Sequence, residues 1–243
     1  MTSKHSAKTS SVKEQLPLAY AWRDGLSFDN FCGVENVAVV QSLQHGTDGS
    51  GDQFIYLWGA PGVGKSHLLQ AACQRAAGQD RTVAYFPLAS FVDKQINMPV
   101  EALDGLESLS LVCLDDVQTV AGVAHWEEAL FHLYNRLRDS GTILLAAGDA
   151  SPAGLDIDLP DLRSRLGWGP VFRVQEPQED EKIHALQARA KARGFDLPDE
   201  VARYLIRRSP RDMTSLFALL DRLDQASLAQ QRHLTIPFVR NLI

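Results

Sequence analysis

Residues 59–66 read Gly-Ala-Pro-Gly-Val-Gly-Lys-Ser, and no other stretch limits so tightly what the chain can become. The spacing is Gly, four residues, then Gly-Lys-Ser, the form of a phosphate-binding loop, or P-loop. Gly59, Gly62 and Gly64 let the backbone turn sharply and aim its N–H groups inward on a polyphosphate, with Ala60, Pro61 and Val63 filling the turn. Lys65 then reaches the outer phosphates, the Ser66 hydroxyl holds Mg²⁺, and His67 follows in the first helical turn. The flanks agree with this reading. Phe54–Trp58 is an apolar run of buried-strand length, while Leu68, Leu69 and Ala72 recur at helical spacing before Arg75. Strand, loop and helix N-terminus in that order make an anion site, because the first N–H groups of the helix are unpaired and its dipole faces the ligand. A nucleoside phosphate is the expected ligand.

Two further apolar runs end in acids. Leu109–Leu114 is closed by Asp115-Asp116, the form of a Walker B element. Downstream of a P-loop, Asp115 is expected to hold the Mg²⁺ water shell and Asp116 to polarise the attacking water. Thr142–Ala147 ends at Gly148-Asp149, where Asp149 either senses the terminal phosphate or simply forms the turn before Ser151-Pro152. Thr82–Phe86 is a further strand, ended by Pro87. Helices are predicted over Val37–Leu43 and Trp126–Leu137.

Leu159–Leu166 reads as a short helix carrying Arg163 and Arg165, which two-residue spacing sends to different sides. From Glu179 onward the chain is helical. Ile183–Arg193 is closed by Gly194, Pro198–Arg208 follows, and Ser209-Pro210 starts a helix with Met213, Leu216, Phe217, Leu220 and Leu223 in register. A last helix begins at Thr235. Arg211 sits in a first turn, against the dipole, which points to a ligand phosphate or to a salt bridge with Asp212 or Glu200. Alternating strands and helices before a helical tail give a parallel α/β sheet with a small helical lid, nucleotide lying in the crevice between them. The expected division is a flexible segment over 1–23, a nucleotide-binding base over 24–174 and a lid over 175–243.

A formal net charge of −6 argues against broad nucleic-acid binding, which needs basic surface. Three cysteines without metal-ligand spacing suit a reducing compartment. No apolar stretch approaches the roughly 20 residues needed to span a bilayer, and residues 1–13 lack the apolar region of a signal peptide. The expected setting is cytoplasmic. Within the polar leader, Gln15-Leu16-Pro17-Leu18-Ala19-Tyr20 stands out. Pro17 keeps it extended, and its apolar side chains either plug a partner's pocket or pack back on their own domain.

Taken together, Ser27-Phe-Asp-Asn-Phe31 with Gly33 and Asn36, Trp58-Gly59 through Leu69, Asp115-Asp116-Val117-Gln118 and Leu162 through Gly169 resemble the AAA+ superfamily, and within it the bacterial replication-initiator clade. The resemblance covers about residues 24–243. Leu159-Pro160-Asp161-Leu162, the tail Leu234–Val239 and the Gln15–Leu18 peptide are similar to that clade's regulatory inactivators of the initiator DnaA. The resemblance implies that Phe31, Gly33 and Asn36 line an adenine pocket, that Asp149 is sensor 1 and that Arg211 is sensor 2. It implies ADP or ATP with Mg²⁺ as cofactors, and Arg165 as an arginine finger offered to a neighbouring subunit. Gln15, Leu16, Leu18 and Tyr20 would bind the DNA polymerase III sliding clamp, and DnaA would be the other partner. The initiator continues past its lid into a helix-turn-helix domain; here the chain stops, and residues 175–243 carry eleven Lys/Arg against ten Asp/Glu. No sequence-specific DNA reading and no membrane contact are therefore expected. The intact Gly64-Lys65-Ser66 and both Walker B acids permit weak intrinsic ATP turnover. Two competing readings stand: a self-contained ATPase of the helicase-loader type working as a homo-oligomer, and a nucleoside kinase, against which the lid and the Arg165 segment weigh.

Overall fold

Five short strands run parallel in one sheet, in the order β2-β3-β4-β1-β5. In chain order they are β1 Phe54–Trp58, β2 Val83–Pro87, β3 Leu111–Asp115, β4 Ile143–Gly148 and β5 Val171–Arg173. The computed structural model describes residues 26–92, 100–210, 212–230 and 234–242. Every residue of β3 and β4 is buried, which is why these strands read as unbroken apolar runs rather than alternating ones: helices cover both faces of the sheet.

Alternation along each strand divides the core in two. Ile55, Leu57, Cys113, Leu145 and Ala147 face one way, against Leu43 of α1 (Val37–Thr47) and Leu68, Leu69 and Cys73 of α2 (Lys65–Ala77). Tyr56, Val112, Leu114, Leu144 and Ala146 face the other way. There, after the short α3 (Leu88–Val92), α4 (Ala124–Ser140) contributes Trp126, Leu130, Leu133 and Leu137, and α5 (Pro160–Leu166) contributes Leu162 and Leu166. The buried thiols of Cys73 and Cys113 meet at 3.3 Å across the α2–β3 contact, as small apolar groups do.

The remaining helices, α6 (Glu179–Ala192), α7 (Asp199–Arg208), α8 (Met213–Gln230) and α9 (Ile236–Arg240), close over a separate core. Ile183, Leu186, Val201, Leu205, Leu216, Leu220, Leu223 and Phe238 build it. Helix α6 starts one turn earlier than its apolar periodicity predicts. Its first turn is Glu179, Asp180 and Glu181, acids that suit the positive end of the dipole, and Gln178 with Glu181 forms a capping box.

Among the described residues, Asn36 and Glu181 make polar contacts that join this helical unit to the sheet unit. Asn36 is fully buried and uses both ends of its amide on the backbone of Gln175, donating to its carbonyl at 3.0 Å and accepting from its N–H at 2.8 Å. Glu181 accepts from the N–H of Val34 at 2.7 Å through Oε1 and from Gln178 at 2.7 Å through Oε2. No helix among the described residues is long and apolar enough to cross a membrane.

Leu145 is fully buried at the centre of β4. Leu145→Ala is expected to lower unfolding free energy by about 2–5 kcal/mol, the usual cost of a core Leu→Ala cavity, read from the midpoint of urea denaturation.

Candidate nucleotide site

The loop between β1 and α2 has the shape its glycines predict. Gly62 and Gly64 adopt φ of +81° and +104°, in the region that disfavours side chains. The space around them is as limiting as their angles. A Cβ on Gly62 would lie 2.4 Å from Cβ of Asp212, and one on Gly64 would lie 2.6 Å from the ring of Phe31. The first α2 hydrogen bond from this loop runs from Leu68 N to Gly64 O at 3.0 Å, so Lys65, Ser66 and His67 open the helix with N–H groups that have no acceptor in the preceding turn. Lys65 is only 8% exposed, and its ammonium donates to the carbonyls of Gly59 at 2.7 Å and Ala60 at 3.1 Å.

The acids stand where β3 and β4 end, beside β1 in the sheet. Burial pushes the Lys65 ammonium below the usual lysine range, and the carboxylates of Asp115, Asp116 and Asp149 pull it back up. Asp115 is 1% exposed. Its Oδ2 accepts from the Tyr85 hydroxyl at 2.6 Å, its Oδ1 accepts from the N–H of Asp116 at 3.0 Å, and Ser66 bonds to it as well. Burial drives its pKa up, the Ser66 and Tyr85 hydrogen bonds oppose that, and the neighbouring Asp116 adds to the rise. An exposed hydroxyl against a buried acid is an oxygen-donor pair that would suit a hydrated Mg²⁺. Among the described residues no group of three or more His, Cys, Asp or Glu gathers as a metal centre.

Asp116 takes a left-handed conformation with φ of +58°, a strained position for a non-glycine residue. Gln118 Nε2 donates to its Oδ1 at 3.1 Å, and Gln118 Oε1 accepts from the N–H of Asp149 at 3.2 Å. Gln118 thus bridges the second Walker B acid and the end of β4. Its sequence position beside the two acids was the only signal of that role. Tyr85 carried no signal, because its partner Asp115 is 30 residues away and meets it only through strand pairing.

Phe31 closes the near wall, its ring edge-on to His67 at 5.4 Å. His67 Nε2 donates to the carbonyl of Ser27 at 2.8 Å, and burial holds its pKa below the ordinary histidine value. This neutral ring therefore anchors the segment leading to Phe31. Gly33, at φ +122°, leaves room for the Asn36 amide, which a Cβ would approach to 2.6 Å. Asn36 itself spends its side chain on Gln175, so it ties the segment after Gly33 to the chain that leads into α6. Asp212, which the sequence suggested only as a salt-bridge partner, packs against Gly62. Arg211, together with Gln15, Leu16, Leu18 and Tyr20, lies outside the described residues.

Arg165 stands apart from all of these. Its guanidinium lies over the rings of Phe131 at 4.7 Å, Trp168 at 4.8 Å and Tyr134 at 5.9 Å. Tyr134 in turn stacks on Phe54 at 4.2 Å, and Phe54 lines a small cavity together with Arg165 and Leu166. Phe54 opens β1, whereas the P-loop follows its other end, roughly 13 Å further along at ordinary strand rise. Nη1 of Arg165 and the hydroxyl of Tyr134 are buried without a hydrogen-bond partner among the described residues. Burial pushes the Tyr134 phenol up to about 12, against the pull of Arg165 and Arg138. Arg163 is exposed and bonds the carbonyl of Ile157.

Comparison with known proteins follows this geometry. Residues 24–173 match the family described as the bacterial DnaA ATPase domain, and residues 179–243 match the one described as the Hda lid domain. Domain III of the Thermotoga maritima replication initiation protein DnaA superposes with a TM-score of 0.79 at 21% identity, over 91% of this chain and 97% of that one. AMPPCP-bound DnaA from Aquifex aeolicus gives 0.70 at 24% identity, over 84% and 66% of the two chains. The Thermotoga maritima RuvB Holliday junction branch migration motor gives 0.66 at 17% identity, over 89% and 70%. At these identities the superpositions establish the fold, an AAA+ α/β unit.

Lys65→Ala removes the one buried cation of the loop. ADP affinity measured by calorimetry is expected to fall by about tenfold or more, the scale of one charge-assisted hydrogen bond.

Proposed function

Since the chain belongs to the bacterial DnaA ATPase-domain family and carries a lid of the Hda type, we propose that it is an Hda-like negative regulator of chromosomal replication initiation. In this reading the chain binds an adenine nucleotide, joins the DNA-loaded sliding clamp and stimulates hydrolysis of the ATP held by DnaA. The observation that carries it is the position of Arg165. Its guanidinium packs beside Phe54, at the end of β1 remote from the P-loop, which favours service to a phosphate on another subunit over service to its own. A guanidinium placed against a γ-phosphate neutralises charge that develops as the bond to the leaving group breaks, an effect worth about 10³–10⁵ in rate.

In the chain's own crevice, the P-loop N–H groups and Lys65 would hold the phosphates. Ser66 would hold Mg²⁺ directly and Asp115 would hold it through water. The metal would supply charge neutralisation between the phosphates. Phe31, with the backbone that Asn36 and His67 secure, would wall the base, and Asp149 and Arg211 would meet the phosphate end from the sheet and the lid. Gln15, Leu16, Leu18 and Tyr20 would bind the clamp, bringing the finger to DNA-associated DnaA. A second reading is a helicase-loader-type ATPase working as a homo-oligomer. It draws on the Asp116–Gln118 arrangement, which suits water activation in this chain itself.

Arg165→Ala is expected to leave ADP affinity within about twofold while removing the 10³-fold or greater stimulation of DnaA-bound ATP hydrolysis, assayed with clamp and DNA present. A large loss of ADP binding in that variant would put the guanidinium in cis and favour the second reading. The double variant Gln15→Ala/Leu16→Ala should lose capture by immobilised sliding clamp; undiminished capture removes the clamp from the scheme.

A further inference from the structure

Glu127 belongs to no phosphate site, yet it is 2% exposed on α4 and satisfied entirely by backbone. Its Oε1 accepts from the N–H of Gly122 at 2.7 Å and of Asp158 at 3.1 Å, and its Oε2 accepts from the N–H of Leu159 at 2.8 Å. A carboxylate is rarely carried so deep, and an apolar side chain would fill the same space without the desolvation cost. The three donors show what this carboxylate joins. Gly122 ends the turn that begins at Asp116, while Asp158 and Leu159 lead into α5, the helix that carries Arg165. Among the described residues no backbone hydrogen bond runs directly between residues 116–123 and 156–160; Glu127 supplies the polar link.

The other end of that turn lies in the nucleotide crevice. Asp116 is strained there at φ +58°, and Gln118 ties its carboxylate to the N–H of Asp149. The turn between, Val117–Val120, is anchored in the core by Val117 and Val120 and so moves as a unit. One rigid carboxylate bonded to both segments cannot let them separate by more than a few tenths of an ångström before a bond passes its working range. We propose that Glu127 is a positioning residue through which the chain's own nucleotide crevice sets the helix bearing Arg165. The use of that helix rests on the trans-finger reading above, whereas the coupling itself does not.

Hydrogen exchange on the full chain, with and without ADP, tests the coupling. In the wild type, ADP is expected to slow amides 158–166 as well as 59–66, the former by about fivefold or more, the low end of ordinary site-to-site coupling. Glu127→Gln keeps an oxygen for Gly122 and Asp158 but turns an NH₂ toward the Leu159 N–H, removing one of the two hydrogen bonds to the segment that leads into α5 at constant volume. In this variant ADP should protect 59–66 as before and protect 158–166 less than in the wild type. A response of 158–166 equal to that of the wild type, or no response in the wild type, overturns the proposal. A merely structural Glu127 would raise exchange throughout without removing the ADP dependence. In a parallel assay of partner ATP hydrolysis, Glu127→Gln should lose up to about 100-fold through misplacement of the finger. If the wild type stimulates nothing while the exchange result holds, the regulatory reading falls and the coupling stands.

Discussion

A lysine ammonium with 8% exposure must be compensated by what surrounds it, and the ends of three neighbouring strands do this for Lys65. β1 delivers the loop whose carbonyls bind it, β3 delivers Asp115 and Asp116, and β4 delivers Asp149. These segments are far apart in the chain and adjacent only because the sheet order is β3-β4-β1. Ligands of open α/β sheets bind where strand order reverses, beyond the carboxyl ends of the strands, and the crevice here obeys that rule. Among the described residues three carboxylates act on this one ammonium, an acidic balance in which a polyphosphate would gain by arriving with a divalent cation.

The helical unit takes part in the same crevice through few but specific contacts. Asn36 copies a strand pairing with one side chain, and Glu181 serves both its own helix and the backbone of Val34. Asp212 rests against Gly62 so closely that only glycine fits beneath it. The sheet unit and the lid are thus fitted to one another at atomic contact, and the glycines of the loop matter for what lies outside it as much as for how it turns.

Much of this was legible in the chain before folding was considered. The P-loop, the buried strands ending in acids and the helical tail are local patterns, each decided by spacing within a dozen residues. Contacts made across the sheet were not legible. Tyr85 reaches Asp115 only because β2 pairs with β3, and Glu127 reaches Leu159 only because α4 and α5 share a face. The resemblance implies that Asn36 lines an adenine pocket, whereas its buried amide answers to Gln175, a partner 139 residues away that no local pattern reveals. For Arg165 the spacing showed that it and Arg163 diverge. It could not show three aromatic rings, two from α4 and one from the loop after α5, converging on one guanidinium.

That aromatic seat has a consequence for how the guanidinium answers to its medium. The rings of Phe131 and Trp168 have no proton to lose, and Tyr134 keeps its own until about pH 12. Among the described residues no carboxylate pairs with Arg165, so neither mild acid nor added salt has a counter-charge of theirs to neutralise or screen, as each would in an ordinary ion pair. Nη1 is buried there without a hydrogen-bond partner among the described residues, so only departure from the seat would open it to an oxygen.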